Sequence, residues 1–186
     1  KGFCWGSLYW QLNNCWPVSS DSSIDYYGNW KSLHYAVRRA FEQKLVSGYV
    51  GDGNLDVYIV TDALKPEKGT LSVEVVTMDG KVISSVKKKV SVPANSSVMV
   101  YRESIGKLLG ETLPEDAYAR FIFTDSEGHR HGNMRFFSNQ KDVRFMCPDI
   151  KWEVTDRGDC KEVKLVSDVF ARAVYLSVKD SDILHF

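Results

Sequence analysis

No run of this sequence approaches the roughly 20 apolar residues that a membrane-spanning helix needs, so no membrane partner is expected. Neither sign of charge is in surplus: 24 Lys and Arg balance 24 Asp and Glu. A nucleic-acid surface usually rests on a basic excess, so no nucleic-acid partner is expected either. Cysteine is scarce, and Cys4, Cys15, Cys147 and Cys160 show no Cys-x-x-Cys spacing. That argues against a zinc motif and against a disulfide scaffold. There is no Gly-rich phosphate loop and no Gly-x-Ser-x-Gly elbow, and no cofactor is expected. The opening Lys1-Gly-Phe-Cys-Trp5 has neither an initiator Met nor a signal-peptide pattern, so it reads as cut from a longer polypeptide. The compartment cannot be read from it, and the one sequon, Asn95-Ser96-Ser97, is of a kind that arises by chance.

What is present is uneven. Apolar residues make up 44% of the chain, enough for a packed core. Residues 1–41 hold ten of the 23 aromatic residues, including Trp5, Trp10, Trp16 and Trp30. They hold only six of the 48 charged ones. A stretch so aromatic and so poor in charge is either the core of something larger or the wall of a binding site.

Three textures follow one another along the chain. Trp5–Leu12 reads as a strand buried on both faces, residues 13–28 as a loop, and a helix as starting behind an Asn29 N-cap and running to about Lys44. Trp30, Leu33, Val37 and Phe41 form its apolar stripe. One such β-α unit of about 45 residues cannot bury its own strand, which implies a larger α/β domain. Ser47-Gly-Tyr-Val-Gly-Asp-Gly53 reads as a linker. Strands are then expected at Leu55–Thr61, Leu71–Met78, Lys81–Val86, Ser97–Arg102, Ala117–Thr124 and Arg130–Phe137. Asp79-Gly80 is read as a type I′ hairpin and Ser126–Gly128 as a turn. That spacing argues an immunoglobulin-like sandwich, with Lys87–Lys89 blocking an edge. Val143–Phe145, Ile150–Val154, Cys160–Val166 and Ala171–Val178 read as further strands. They are either a strand pair against the preceding domain or, the favoured reading, part of a second sandwich.

His129 and His131 share one face of a strand but lack a third ligand, so they read as exposed strand residues and no metal is expected. Glycoside cleavage needs two carboxylates. Residues 1–41 offer only Asp21 and Asp25, which suit turns and caps better than acid/base work. The segment does carry the makings of a sugar site. Trp10 and Trp16 can stack on a pyranose, and Gln11, Asn13 and Asn14 can bond its hydroxyls. In a (β/α)8 barrel, the C-terminal end of a strand is the active-site face.

Gly6-Ser-Leu-Tyr-Trp-Gln-Leu-Asn-Asn-Cys-Trp-Pro17 and Ser22-Ser-Ile-Asp-Tyr-Tyr-Gly-Asn-Trp-Lys-Ser-Leu-His-Tyr35 closely resemble the end of the catalytic barrel in β-mannosidases of glycoside hydrolase family 2. Val92-Pro-Ala-Asn-Ser96 and Asp125-Ser-Glu-Gly-His129 resemble the immunoglobulin-like domains that follow that barrel. The resemblance implies a retaining exo-hydrolase acting on terminal β-mannose in oligosaccharides. Its two catalytic glutamates would lie upstream of this chain, and its location would be periplasmic, secreted or lysosomal. It also implies that Trp10 is the sugar platform, with Gln11, Asn13, Asn14 and Trp16 as neighbouring substrate-binding or structural positions. Family members usually carry Asp where Asn14 stands and Trp where Asp21 stands.

The expected fold is therefore mainly β. Residues 1–47 would be the last β-α unit of a (β/α)8 barrel, 48–140 an immunoglobulin-like β-sandwich, and 141–186 part of a second β-sandwich. The expected partners are a β-mannoside oligosaccharide and the rest of the barrel, and the piece alone is expected to be inactive. The alternative is a non-catalytic carbohydrate-binding or interaction module on an immunoglobulin-like frame.

Overall fold

The computed structural model describes residues 6–176. Among them the chain divides into two compact units, one of residues 6–42 with 173–176 and the other of Gln43–Arg172.

The larger unit is a β-sandwich. Its first sheet has the order β1-β2-β5, from Lys44–Gly51, Asn54–Thr61 and Ser96–Ser104. The facing sheet has the order β4-β3-β6-β7, from Val82–Val92, Glu67–Thr77, Ala117–Asp125 and Arg130–Phe136. All neighbouring strands are antiparallel. The fourth strand sits beside the third, which departs from the constant-type immunoglobulin arrangement, where it joins the other sheet. Alternation explains the core. Leu55, Val57 and Ile59 point inward from β2, Leu71, Val73 and Val75 from β3, and Ala117, Ala119, Phe121 and Phe123 from β6, and all are buried. Burying each large aliphatic or aromatic side chain here contributes about 1.5–3 kcal/mol. The short helix α2 (Ile105–Leu109), capped by Ser104, adds Leu108 and Leu109 to the same core.

The strand positions expected from the alternation are present, but the linker is not. Ser47–Gly51 lies inside β1, fully paired with β2, and Asp52-Gly53 is the two-residue turn between them. Both turn residues have positive φ, 50° and 74°, as a type I′ turn requires. Gly48 serves packing: a Cβ there would lie 2.4 Å from the tip of the buried Phe121 ring. The turn at Asp79-Gly80 is of another kind. Only Gly80 has positive φ, 86°, and its N–H bonds Thr77 O, which describes a type I turn closed by a Gly bulge.

Strand β4 is an edge, and Lys87, Lys88 and Lys89 on it are exposed. Lys88 stands opposite the buried Leu71, and its Nζ reaches over to Val100 O at 3.0 Å. An inward-pointing charge of this kind blocks edge-to-edge pairing.

Beyond β7, residues 143–145 form no strand. Val143, Phe145 and Phe170 instead pack with Tyr118 and Phe136 at one end of the four-stranded sheet. Strands β8 (Ile150–Asp156) and β9 (Lys161–Ser167) form a two-stranded ribbon. Trp152 faces Leu165 and Val154 faces Val163, so the ribbon has one apolar face, with Trp152 72% exposed. Residues 171–176 form no strand, and the rest of the segment expected to 178 lies outside the described residues.

In the smaller unit, residues 6–12 form no strand and Leu8 is fully exposed; Trp5 lies outside the described residues. A strand apolar on both faces needs ladder partners and a cover on each side, and one helix in about 40 residues supplies neither. The helix is α1, Ser32–Ala40. It starts after Asn29 because Asn29 is occupied elsewhere: its amide groups bond Asp25, leaving Lys31 as an N-cap without a side-chain bond. None of its residues is buried, and Leu33 and Phe41 on the apolar stripe are exposed.

Candidate functional site

The aromatic segment is a loop held together by its own polar groups. Its main chain doubles back, with Ser23 N bonding Gln11 O at 2.9 Å, Ile24 N bonding Leu12 O at 2.8 Å and Asn14 N bonding Ile24 O at 3.2 Å. Asn14 is buried at the centre. Its Nδ2 donates to Val18 O at 3.1 Å, and its Oδ1 accepts from Ser20 Oγ at 2.5 Å. Ser22 Oγ donates to Ile24 O, and Lys31 Nζ donates to Ser20 O at 3.0 Å and Ser22 Oγ at 2.9 Å. Short hydroxyl side chains bond nearby backbone in this way and fix a loop that has no ladder. The sequence reading missed Ser20, Ser22, Ser23 and Lys31. Their only signal was a Ser-rich run with a single Lys nearby.

The polar groups turn inward and the indoles stay outside. Trp10 is 82% exposed and Trp16 64%. Gln11 is half-buried, and the peptide bond joining it to Trp10 is cis. Asn13 is exposed, with its Nδ2 donating to Asn14 O at 3.3 Å. The five candidate residues therefore lie on one short loop. Trp10, Trp16 and Asn13 are open to solvent, while Asn14 has both ends of its amide bonded to the loop itself.

The carboxylates here are not arranged for acid/base work. Burial opposes ionisation of Asp25. The Asn29 side chain and the Asn29 and Tyr27 amides outweigh it and hold the carboxyl below its ordinary value. Asp25 Oδ1 accepts from Tyr27 N at 2.9 Å and Asn29 N at 2.8 Å, and Oδ2 accepts from Asn29 Nδ2 at 2.9 Å. It is an ionised turn residue with its oxygens already engaged. Asp21 is exposed.

Ser23 and His34 do come together, with Oγ 3.2 Å from Nδ1. Ser23 is fully buried, however, and its hydroxyl donates to Leu12 O at 2.9 Å. A nucleophile needs access and a proton to give to its base, and this serine has neither.

His129 lies in the β6–β7 turn and His131 on β7, so the two are not on one strand face. Both approach Asp125, whose Oδ2 is 3.6 Å from each ring, and Glu127 stands 3.3 Å from His129 Nδ1. The acidic partners that the sequence did not reveal are therefore present. Lys44 Nζ occupies the same Asp125 Oδ2 at 2.8 Å and also meets Glu67 at 3.3 Å, and a fixed cation at that oxygen opposes a metal ion. Asp125, bonded also to the Glu127 and His129 amides, works as a tie within the sandwich.

The sandwich is similar to a known domain family. The Mannosidase Ig/CBM-like domain family matches residues 53–142. The similarity extends beyond that domain. The β-mannosidase of Mus musculus is 30% identical over 185 residues, covering 96% of this chain and 21% of its own length. The β-mannosidase of Capra hircus is 31% identical over the same shares. Among solved structures, the β-D-mannosidase of Dictyoglomus thermophilum aligns with a TM-score of 0.77 and 27% identity, over 91% of this chain and 21% of that one. An exo-chitosanase of Amycolatopsis orientalis, at 16% identity and a TM-score of 0.56 over 89% of this chain and 22% of its own, shares the fold. The chain thus spans about a fifth of the length of the curated relatives it matches. The mainly β architecture, with a β-sandwich over residues that match the Mannosidase Ig/CBM-like domain family, agrees with the reading from sequence.

Proposed function

We propose that this chain is a non-catalytic portion of a β-mannosidase, which hydrolyses terminal β-mannose from oligosaccharides. The observation that carries the reading is similarity to β-mannosidases across 96% of this chain but only 21% of a relative. Residues 6–42 contribute the sugar-facing loop and one helix of a (β/α)8 barrel. Trp10 and Trp16 are the stacking surfaces, Gln11 and Asn13 polar neighbours, and Asn14 the residue that shapes the loop from inside. The open stripe of α1 fits this role, since Leu33 and Phe41 need further helices or strands to cover them. The Mannosidase Ig/CBM-like domain, entered at Gln43, is the frame. The β8–β9 ribbon begins a second β domain, because a two-stranded ribbon with one apolar face needs a second layer.

The chemistry resides in carboxylates outside this chain: Asp25, one of the two carboxylates of the loop, is consumed by its turn. The purified 186-residue chain should release no aryl alcohol from an aryl β-mannoside, and sustained release would overturn the proposal.

A further inference from the structure

The outer face of the four-stranded sheet carries a groove with a volume of about 440 Å³. Its floor is hydroxyl-rich, from Thr70, Ser72 and Thr124, and its rim carries Lys87, Arg120 and Arg130 against a single carboxylate, Glu74. The register brings these groups together. Lys87, Ser72, Ile122 and Gly132 stand in one row across β4, β3, β6 and β7, and Thr70, Thr124 and Arg130 stand in the next. Rows two residues apart on a face are separated by about 7 Å, and four strands span about 14 Å, so long cationic side chains from β4 and β7 can reach over the same floor. Gly132 leaves its end of the row without a side chain. A Cβ there would meet only Phe121 O at 3.9 Å, so the gap is open space and not a demand of the backbone.

The charges do not cancel among themselves. Glu74 is taken by Arg120, whose Nε donates to it at 3.0 Å and whose Nη2 makes an ion pair at 2.5 Å. Among the described residues, neither Lys87 nor Arg130 has a hydrogen-bond or ion-pair partner. Two unmatched cations above a floor of hydroxyls, in a chain of zero net charge, form a site of one sign. Edge protection accounts for single charges on β4 and β7, the two edges of this sheet. It does not account for the open position at Gly132 or for cations from both edges converging on one hydroxyl floor.

We propose that this groove binds an oxyanion group, a carboxylate, sulfate or phosphate, carried by a small hydroxylated ligand such as an acidic sugar. Lys87 and Arg130 would hold the anion by charge-assisted hydrogen bonds, and Thr70, Ser72 and Thr124 would serve neighbouring hydroxyls. The site lies wholly within the sandwich, so it stands or falls independently of the assignment to a β-mannosidase.

The test is titration of the full 186-residue chain, followed by backbone amide resonances, with sodium sulfate, glucuronate and neutral mannose in turn. Sulfate and glucuronate should give saturable shifts centred on residues 70–74 and 120–130, and mannose should give none. Tighter binding of glucuronate than of sulfate would point to an acidic sugar, and equal binding to a free anion. Lys87→Gln and Arg130→Gln should each weaken glucuronate about tenfold. Gly132→Val, which fills the open end without touching charge, should weaken it too. Lys65→Gln, at an exposed lysine outside the groove, should leave binding as it is. Absence of saturable shifts, shifts that survive in the Lys87→Gln/Arg130→Gln double variant with its spectrum otherwise intact, or equal binding of mannose would each overturn the proposal.

Discussion

Lys44, the first residue of β1, lies 2.8 Å from Asp125, the last residue of β6, so one ion pair ties the edge of the three-stranded sheet to the facing sheet. The Asp125 side chain is fully buried, and Lys44 is largely so. The Lys44 ammonium holds the Asp125 carboxyl well below the usual carboxylate range; burial opposes this, and the His129 and Glu127 amides add to it. Asp125 in turn raises the Lys44 ammonium above its ordinary value.

The sign of the pH dependence follows. A carboxyl whose folded pKa is depressed adds stability that is complete above the unfolded value, about 3.9, and is lost as pH falls below it. Urea unfolding followed by circular dichroism should therefore show a midpoint that drops from pH 5 to pH 3. Asp125→Asn should flatten that drop and cost about 3 kcal/mol at pH 7, because it leaves Lys44 with a weakened partner in a buried setting. An unchanged acid response in Asp125→Asn would count against the tie.

Gly48→Ala should destabilise the sandwich although it adds one methyl group. The new Cβ would fall 2.4 Å from the tip of the Phe121 ring, which is fully buried. Overpacking of this kind costs about 1–3 kcal/mol, readable as a lowered urea midpoint with an unchanged m value.

That glycine also marks where the sequence could be read and where it could not. Alternation in Leu55–Ile59, Leu71–Val75 and Ala117–Phe123 is a local property, and each of those strands is where the pattern placed it. Gly48 and Gly53 sit only five residues apart, and their local sequence reads as a linker. One of them makes room for a ring on a strand more than 70 residues away, and the other forms a type I′ turn. The first is a tertiary contact that no local window contains. The loop of residues 10–24 divides in the same way. The exposed indoles Trp10 and Trp16 stood out by type, whereas the inward-turned Asn14, Ser20, Ser22 and Lys31 become intelligible only once the loop is closed.

Limited proteolysis should separate the strand from the supposed linker. Because β1 begins at Lys44 and every residue from Lys44 to Gly51 is paired with β2, early cleavage should fall near Phe41–Gln43 and leave Ser47–Gly53 intact. Mass spectrometry of the first resistant fragment should place its N-terminus there. An N-terminus between 48 and 54 would mean that β1 opens before the rest of the sandwich.

The assignment of Trp10 to the sugar pocket is tested most directly by kinetics on an aryl β-mannoside with the proposed whole β-mannosidase. If Trp10, 82% exposed here, is the platform on which mannose stacks, Trp10→Ala should lower kcat/KM about tenfold or more with the circular dichroism unchanged. Leu64→Ala, at an equally open apolar residue of the sandwich, should leave kcat/KM unaltered. A Trp10→Ala enzyme that hydrolyses the mannoside as well as its parent, or a parent that does not hydrolyse it at all, would contradict the account.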